Sequence, residues 1–223
     1  MAAGTTYLDI VNKVLLRLRE EEVATVGETA YSQLIGSFVN VVKNEVEGAW
    51  PWFDLRESYT VNTVAGTTSY ALTSCTAKAN PLDVWNLTEK WEMERIQWRE
   101  MNRNVYAWGL DTPTRAIPFQ WCPNGTNGSD NYQVLVYPVP DAAYQLQFNM
   151  YVPTAPLSAG TDRYYGPLEP MVEGVLAYAY KERGEDGGMS SKEQFQIYHD
   201  MLALAVSREQ GQSENDTLWT TGV

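Results

Sequence analysis

The chain has 223 residues, 44% apolar and 12% aromatic, and carries a formal net charge of −12. That length and apolar content exclude a disordered chain and suit one large domain or two small ones around a real core. The acidity is spread, with −3, −4 and −5 in residues 1–56, 57–162 and 163–223, so the basic footprint that grips phosphate is missing and stable nucleic-acid binding is disfavoured.

The first run, MAAGTTYLD, has neither a basic region nor an apolar core, so no secretory leader is expected. No apolar stretch approaches the ~20 residues of a membrane span. Synthesis in the cytoplasm is the expectation, and the sequons at Asn86, Asn124, Asn127 and Asn215 then carry no weight. Cys75 and Cys122 lack any CxxC or metal-ligand spacing and read as buried free thiols rather than a disulfide.

Thr6, with Asp9 three residues on, can cap a first helix. Tyr7, Ile10, Val11, Val14, Leu15 and Leu18 recur in it at helical spacing. After the charged run Arg19–Glu22 and a loop at Gly27, a second helix begins near Thr29. It carries Leu34, Ile35, Phe38, Val41, Val42 and Val46 on one broad face. It should stop near Trp50, because Pro51 disfavours helical geometry in the residue before it. The aromatic run around that proline, Trp50, Trp52 and Phe53, is expected to wedge between a helical layer and a sheet layer at the domain junction.

From Tyr59 the period changes from 3.6 to 2. A strand, a turn at Ala65-Gly66 and a short run with Tyr70 and Leu72 are followed by strand-like DVWNLTE and MERIQW. TRAIPFQWC and YQVLVYP flank the loop NGTNGSDN, which reads as a hairpin connection. Residues 144–150 alternate apolar and amide side chains, so one face is buried and the other wet. Helical spacing returns after Gly166-Pro167 with Leu168, Met171, Val172, Val175, Leu176 and Ala179. The turn GEDGG ends this helix. Ser190 and Ser191, each with Glu193 or Gln194 three residues on, offer caps for a last helix carrying Phe195, Tyr198, Leu202 and Ala205 to about Gly211.

The expected fold class is α+β. Residues 1–56 and 163–212 form one helical bundle built from both chain ends, and 57–162 an inserted antiparallel β domain of sandwich or barrel type. The tail QSENDTLWTTGV has no helical period, so 213–223 is expected to be an extended arm.

Chemistry is sparse. His199 is the only histidine and cannot make a metal site alone. Glu92 and Glu94 stand two apart on an expected strand, on one face and near Trp85, Trp91 and Trp98. That suggests a glycan cleft with an acid/base pair, against a solvated strand face as the simpler reading. No nucleophile elbow, P-loop or dinucleotide fingerprint occurs. No enzymatic activity, metal or cofactor is expected.

The order of these features resembles the phage head-to-tail adaptor (connector) family of the tail tubular protein A type. The matching residues are Trp50-Pro51-Trp52-Phe53 at the end of a helix, Val64-Ala65-Gly66 between strands leading to Tyr70-Ala71-Leu72, and Thr112-Pro113-Thr114-Arg115 before a strand. Val136-Tyr137-Pro138-Val139-Pro140-Asp141 follows, then the alternating strand through Tyr151, then Pro153 and Pro156-Leu157. Pro51 stands where the family often has aspartate, and Thr73 where it usually has proline. The resemblance, over about residues 5 to 210, implies a structural virion protein of the neck. Such a protein would be a ring of twelve copies below the portal, extending the DNA channel and docking a downstream tail or nozzle protein. DNA would pass through its lumen without specific binding, and no membrane would be involved. It also implies that the C-terminal arm reaches the portal, with Leu218 and Trp219 as the contact candidates. The alternatives are a carbohydrate-binding or glycan-hydrolysing virion protein and a non-viral scaffold.

Overall fold

The computed structural model describes residues 4–106, 115–184 and 191–219, with Tyr106 and residues 212–219 described by backbone alone. In chain order the elements are β1 (Thr5–Thr6), α1 (Tyr7–Arg17), α2 (Ala30–Ala49), β2 (Arg56–Asn62), β3 (Ser69–Leu72), β4 (Asn80–Asn86), β5 (Trp91–Glu92) and β6 (Glu94–Arg95). They continue with α3 (Trp98–Tyr106), β7 (Gln120–Thr126), β8 (Tyr132–Tyr137), β9 (Gln145–Tyr151), β10 (Arg163–Tyr164), α4 (Leu168–Arg183) and α5 (Ser191–Trp219). The protein is therefore mixed α+β, and it divides into two compact units, Met1–Leu55 with Pro153–Val223, and Arg56–Val152.

In the helical unit the ends of the helices follow local chemistry. Thr6 accepts from the Asp9 amide at 3.2 Å and starts α1. Thr29 and Ser32 exchange side-chain and backbone hydrogen bonds in a reciprocal cap on α2. Trp50 leaves the helix with φ −154° and ψ 147°, the extended geometry that Pro51 favours. Gly184 closes α4 at φ 63°, where its amide donates to the Tyr180 carbonyl. The buried stripes are Ile10, Val11 and Val14 on α1, Ile35, Val39, Val42 and Val46 on α2, and Met171, Val175, Leu176 and Ala179 on α4. α4 packs against α1, α2 and α5, and β1 pairs antiparallel with β10.

The division between units falls at Val152/Pro153 rather than at 162/163, because residues 153–162 are fastened to helices. Asn40 exchanges two hydrogen bonds with the Leu157 backbone, at 2.8 and 2.9 Å. The Tyr7 amide donates to the Asp162 carbonyl, and the Leu8 amide to that of Gly160.

The second unit holds two four-stranded sheets, ordered β2-β9-β4-β5 and β3-β8-β7-β6. Their inward residues share one core. Val84, Leu146, Phe148 and Met150 come from the first sheet, and Leu72, Trp121, Val134 and Val136 from the second. β9 alternates as its sequence requires, with Leu146, Phe148 and Met150 at 0% exposure between half-buried Gln147 and Asn149. Two features depart from the expected all-antiparallel region. β6 joins β7 in parallel, and residues 98–106 form a helix, α3, whose Met101 is buried beside Ile96 and Cys122.

Candidate functional site

Trp52 is fully buried within the helical unit, and its indole N–H donates to the Val46 carbonyl at 2.7 Å, satisfying an acceptor that the last turn of α2 leaves open. Trp50 and Phe53 are half-buried. The Phe53 amide donates to Glu209 Oε1, which fastens the end of α2 to α5. Trp52 lines a cleft of about 340 Å³ with Asp54, Tyr165, Glu169, Arg208 and Glu209, among others. Three carboxylates and one guanidinium on aromatic walls suit a cationic or amphipathic side chain and repel a phosphate.

The helical unit also leaves large apolar groups in water: Leu16 at 64%, Leu204 at 46%, Val41 at 42% and Met201 at 38% exposure. Sequence spacing passed over Leu16 because it falls off the α1 stripe. That off-stripe position, on a helix only 11 residues long, was the available signal.

Glu92 and Glu94 do not share a strand face. Glu92 lies on β5 opposite Trp85, and Glu94 on β6 opposite Gln120 in the other sheet, with Met93 buried between them. The Glu94 carboxylate accepts from Gln120 Nε2 at 2.8 Å. Both glutamates line an open cleft with Asp83 and Arg95, whose guanidinium sits 5.7 Å from the Trp121 ring centroid. Acidic groups and a cation on a structural tryptophan are all that converge there. No hydroxyl or thiol nucleophile joins them among the residues lining that cleft.

His199 is exposed on α5 against Tyr198. Among the described residues no three histidine, cysteine, aspartate or glutamate side chains come together as metal ligands. Cys75 and Cys122 are buried free thiols, and burial pushes the Cys75 thiol up to about 11, so neither is a nucleophile at neutral pH. No helix, among the described residues, is long and apolar enough to cross a membrane.

The tail differs from the extended arm expected of it. Its backbone continues α5 through Trp219, past Gly211. A glycine inside a helix costs only about 1 kcal/mol, so an established helix propagates through it. The side chains of Leu218 and Trp219, and all of residues 220–223, lie outside the described residues, as do Thr112–Thr114 and Ser190.

The described residues thus present exposed apolar side chains and two clefts rich in carboxylates. The model of the SU10 adaptor protein family matches residues 5–221. The chain belongs to that family, the structural adaptors of phage particles, as the resemblance to phage head-to-tail adaptors implied. No curated protein matches it.

Proposed function

We infer that this protein is a head-to-tail adaptor that forms a ring of twelve copies below the portal, extends the DNA channel and docks the downstream tail protein. The family match over residues 5–221 carries the reading. The helical unit, drawn from both chain ends, is in this reading a bundle that packs beside its copies. Residues 213–223, with Leu218 and Trp219, contact the portal. The net charge of −12 supports a lumen that repels phosphate and lets DNA slide without adhering. The location is the neck of the virion, and no catalytic step is involved. The test is the mass of the purified chain, alone and after mixing with portal-bearing capsids. Twelve copies per portal are expected, and failure to attach to such capsids rules the role out.

The exposed indoles of Trp85 (40%), Trp91 (38%) and Trp98 (58%) favour one alternative, a carbohydrate-binding virion protein. Calorimetry with host surface polysaccharide separates the two, since an adaptor releases no heat.

A further inference from the structure

Two exposed strips of the helical unit complement each other. On α1, Asp9, Lys13 and Leu16 stand at i, i+4 and i+7, and all three are exposed. They lie on the side opposite the buried Ile10, Val11 and Val14. On α5, Met201, Leu204 and Arg208 stand at i, i+3 and i+7 and are exposed too. Residues 201–206 of α5 are all apolar, yet no residue from His199 to Gly211 is buried. Among the described residues Asp9, Lys13 and Arg208 form no ion pair.

Each strip covers about 10 Å of helix rise. Laid antiparallel, Leu16 meets Met201, Lys13 lies over Leu204, and Asp9 meets Arg208. The parallel arrangement sets Asp9 on Met201 and Leu16 on Arg208, pressing a charge onto apolar surface at each end. Charge therefore selects one direction. Beside Arg208, the cleft with Asp54, Glu169 and Glu209 offers an acidic landing for the ammonium of Lys13, whose stem covers Leu204.

Resting on the ring reading above, we propose that the Asp9–Lys13–Leu16 face of α1 in one copy docks on the Met201–Leu204–Arg208 face of α5 in the next. The two faces differ, so the contact is head-to-tail. Each copy offers α1 to one neighbour and α5 to the other, and rotation closes the series into a ring.

The experiment measures assembly of the full chain by native mass and sedimentation, alone and on portal-bearing capsids. It compares the native chain with Asp9→Arg, Arg208→Asp and the double exchange, with circular dichroism and thermal unfolding as folding controls. Arg208→Asp sets like charges face to face and should weaken assembly roughly tenfold or more, Asp9→Arg should weaken it less because the cleft carboxylates beside Arg208 offset the repulsion, and the double exchange should restore it. Leu16→Glu should also abolish assembly, and if it fails to fold the charge exchanges carry the test alone. An Arg208→Asp variant that assembles like the native chain overturns the contact. So does a folded double exchange that assembles no better than the singles. A native ring unaffected by every exchange removes this interface and leaves the adaptor role standing, whereas a native chain that neither self-associates nor binds capsids removes both.

Discussion

Lys43 and Glu47 lie one turn apart on α2 with side chains 0% and 1% exposed, a placement two ionised groups tolerate only with partners on every side. Lys43 Nζ donates to Glu47 at 3.0 Å and to the Thr154 carbonyl at 2.6 Å, while Glu47 accepts from the Thr154 amide and hydroxyl. The pair thus ties α2 to the segment that follows β9. Glu47→Gln keeps the shape but strands the ammonium, and should lower stability by about 3–5 kcal/mol in urea unfolding. Lys43→Met with Glu47→Leu removes both charges and should recover most of that loss. The Glu92/Glu94 carboxylate pair predicts the opposite outcome. Glu92→Gln with Glu94→Gln should leave assembly and unfolding unchanged, because the two groups sit on separate sheets. Polysaccharide cleavage by the native chain that vanishes in the folded double variant would count against a structural role.

Between elements, Gly174 sets how closely three helices approach. A Cβ at that position of α4 would lie 2.7 Å from Val42 Cγ1 on α2 and 3.0 Å from two ring carbons of Tyr198 on α5. Gly174→Ala gains about 1 kcal/mol of helix propensity but must push two packed helices apart, and a net loss of about 1–3 kcal/mol is expected in thermal unfolding. The turn before β10 answers to pH. Asp162 accepts from the amides of Ser158 and Ala159 and from the Ser158 hydroxyl, and these bonds hold its carboxyl below its usual 3.8. A carboxylate with a depressed folded-state pKa stabilises at all pH above the unfolded value and loses that contribution as pH falls through the folded one. Asp162→Asn should therefore be less stable than the native chain at pH 7, with the difference shrinking below about pH 3.8. A gap that stays constant down to pH 2 would contradict the linkage.

For the whole molecule, the adaptor role proposed above is tested at the end of α5. Its backbone is helical to Trp219, so what the tail presents to a partner is a helix end and whatever follows it. Deleting residues 213–223, or changing Trp219→Ala, should abolish or strongly weaken attachment to portal-bearing capsids, with thermal unfolding as the folding control. Normal attachment by the truncated chain would remove the tail from the portal contact.

Local chemistry in the sequence was enough for the start of α1, both ends of α2, the end of α4 and strand β9, though not for the end of α5. Thr6, Thr29, Pro51 and Gly184 act on their own neighbours, and a period of two or 3.6 says which side chains share a face. The same reasoning foresaw the change from helix to sheet after Pro51. It did not foresee α3 or the separation of Glu92 from Glu94, because β5 turns back on neighbouring β4 while β6 pairs with β7 in the other sheet, about 26 residues further on, and that choice depends on the partners available in space. Nor could spacing tell that Lys43 and Glu47 are buried while Leu16, Met201 and Leu204 are not. Periodicity orders side chains around one element, whereas burial belongs to the contact between two, and only the tertiary structure decides which faces meet and which are left for a partner.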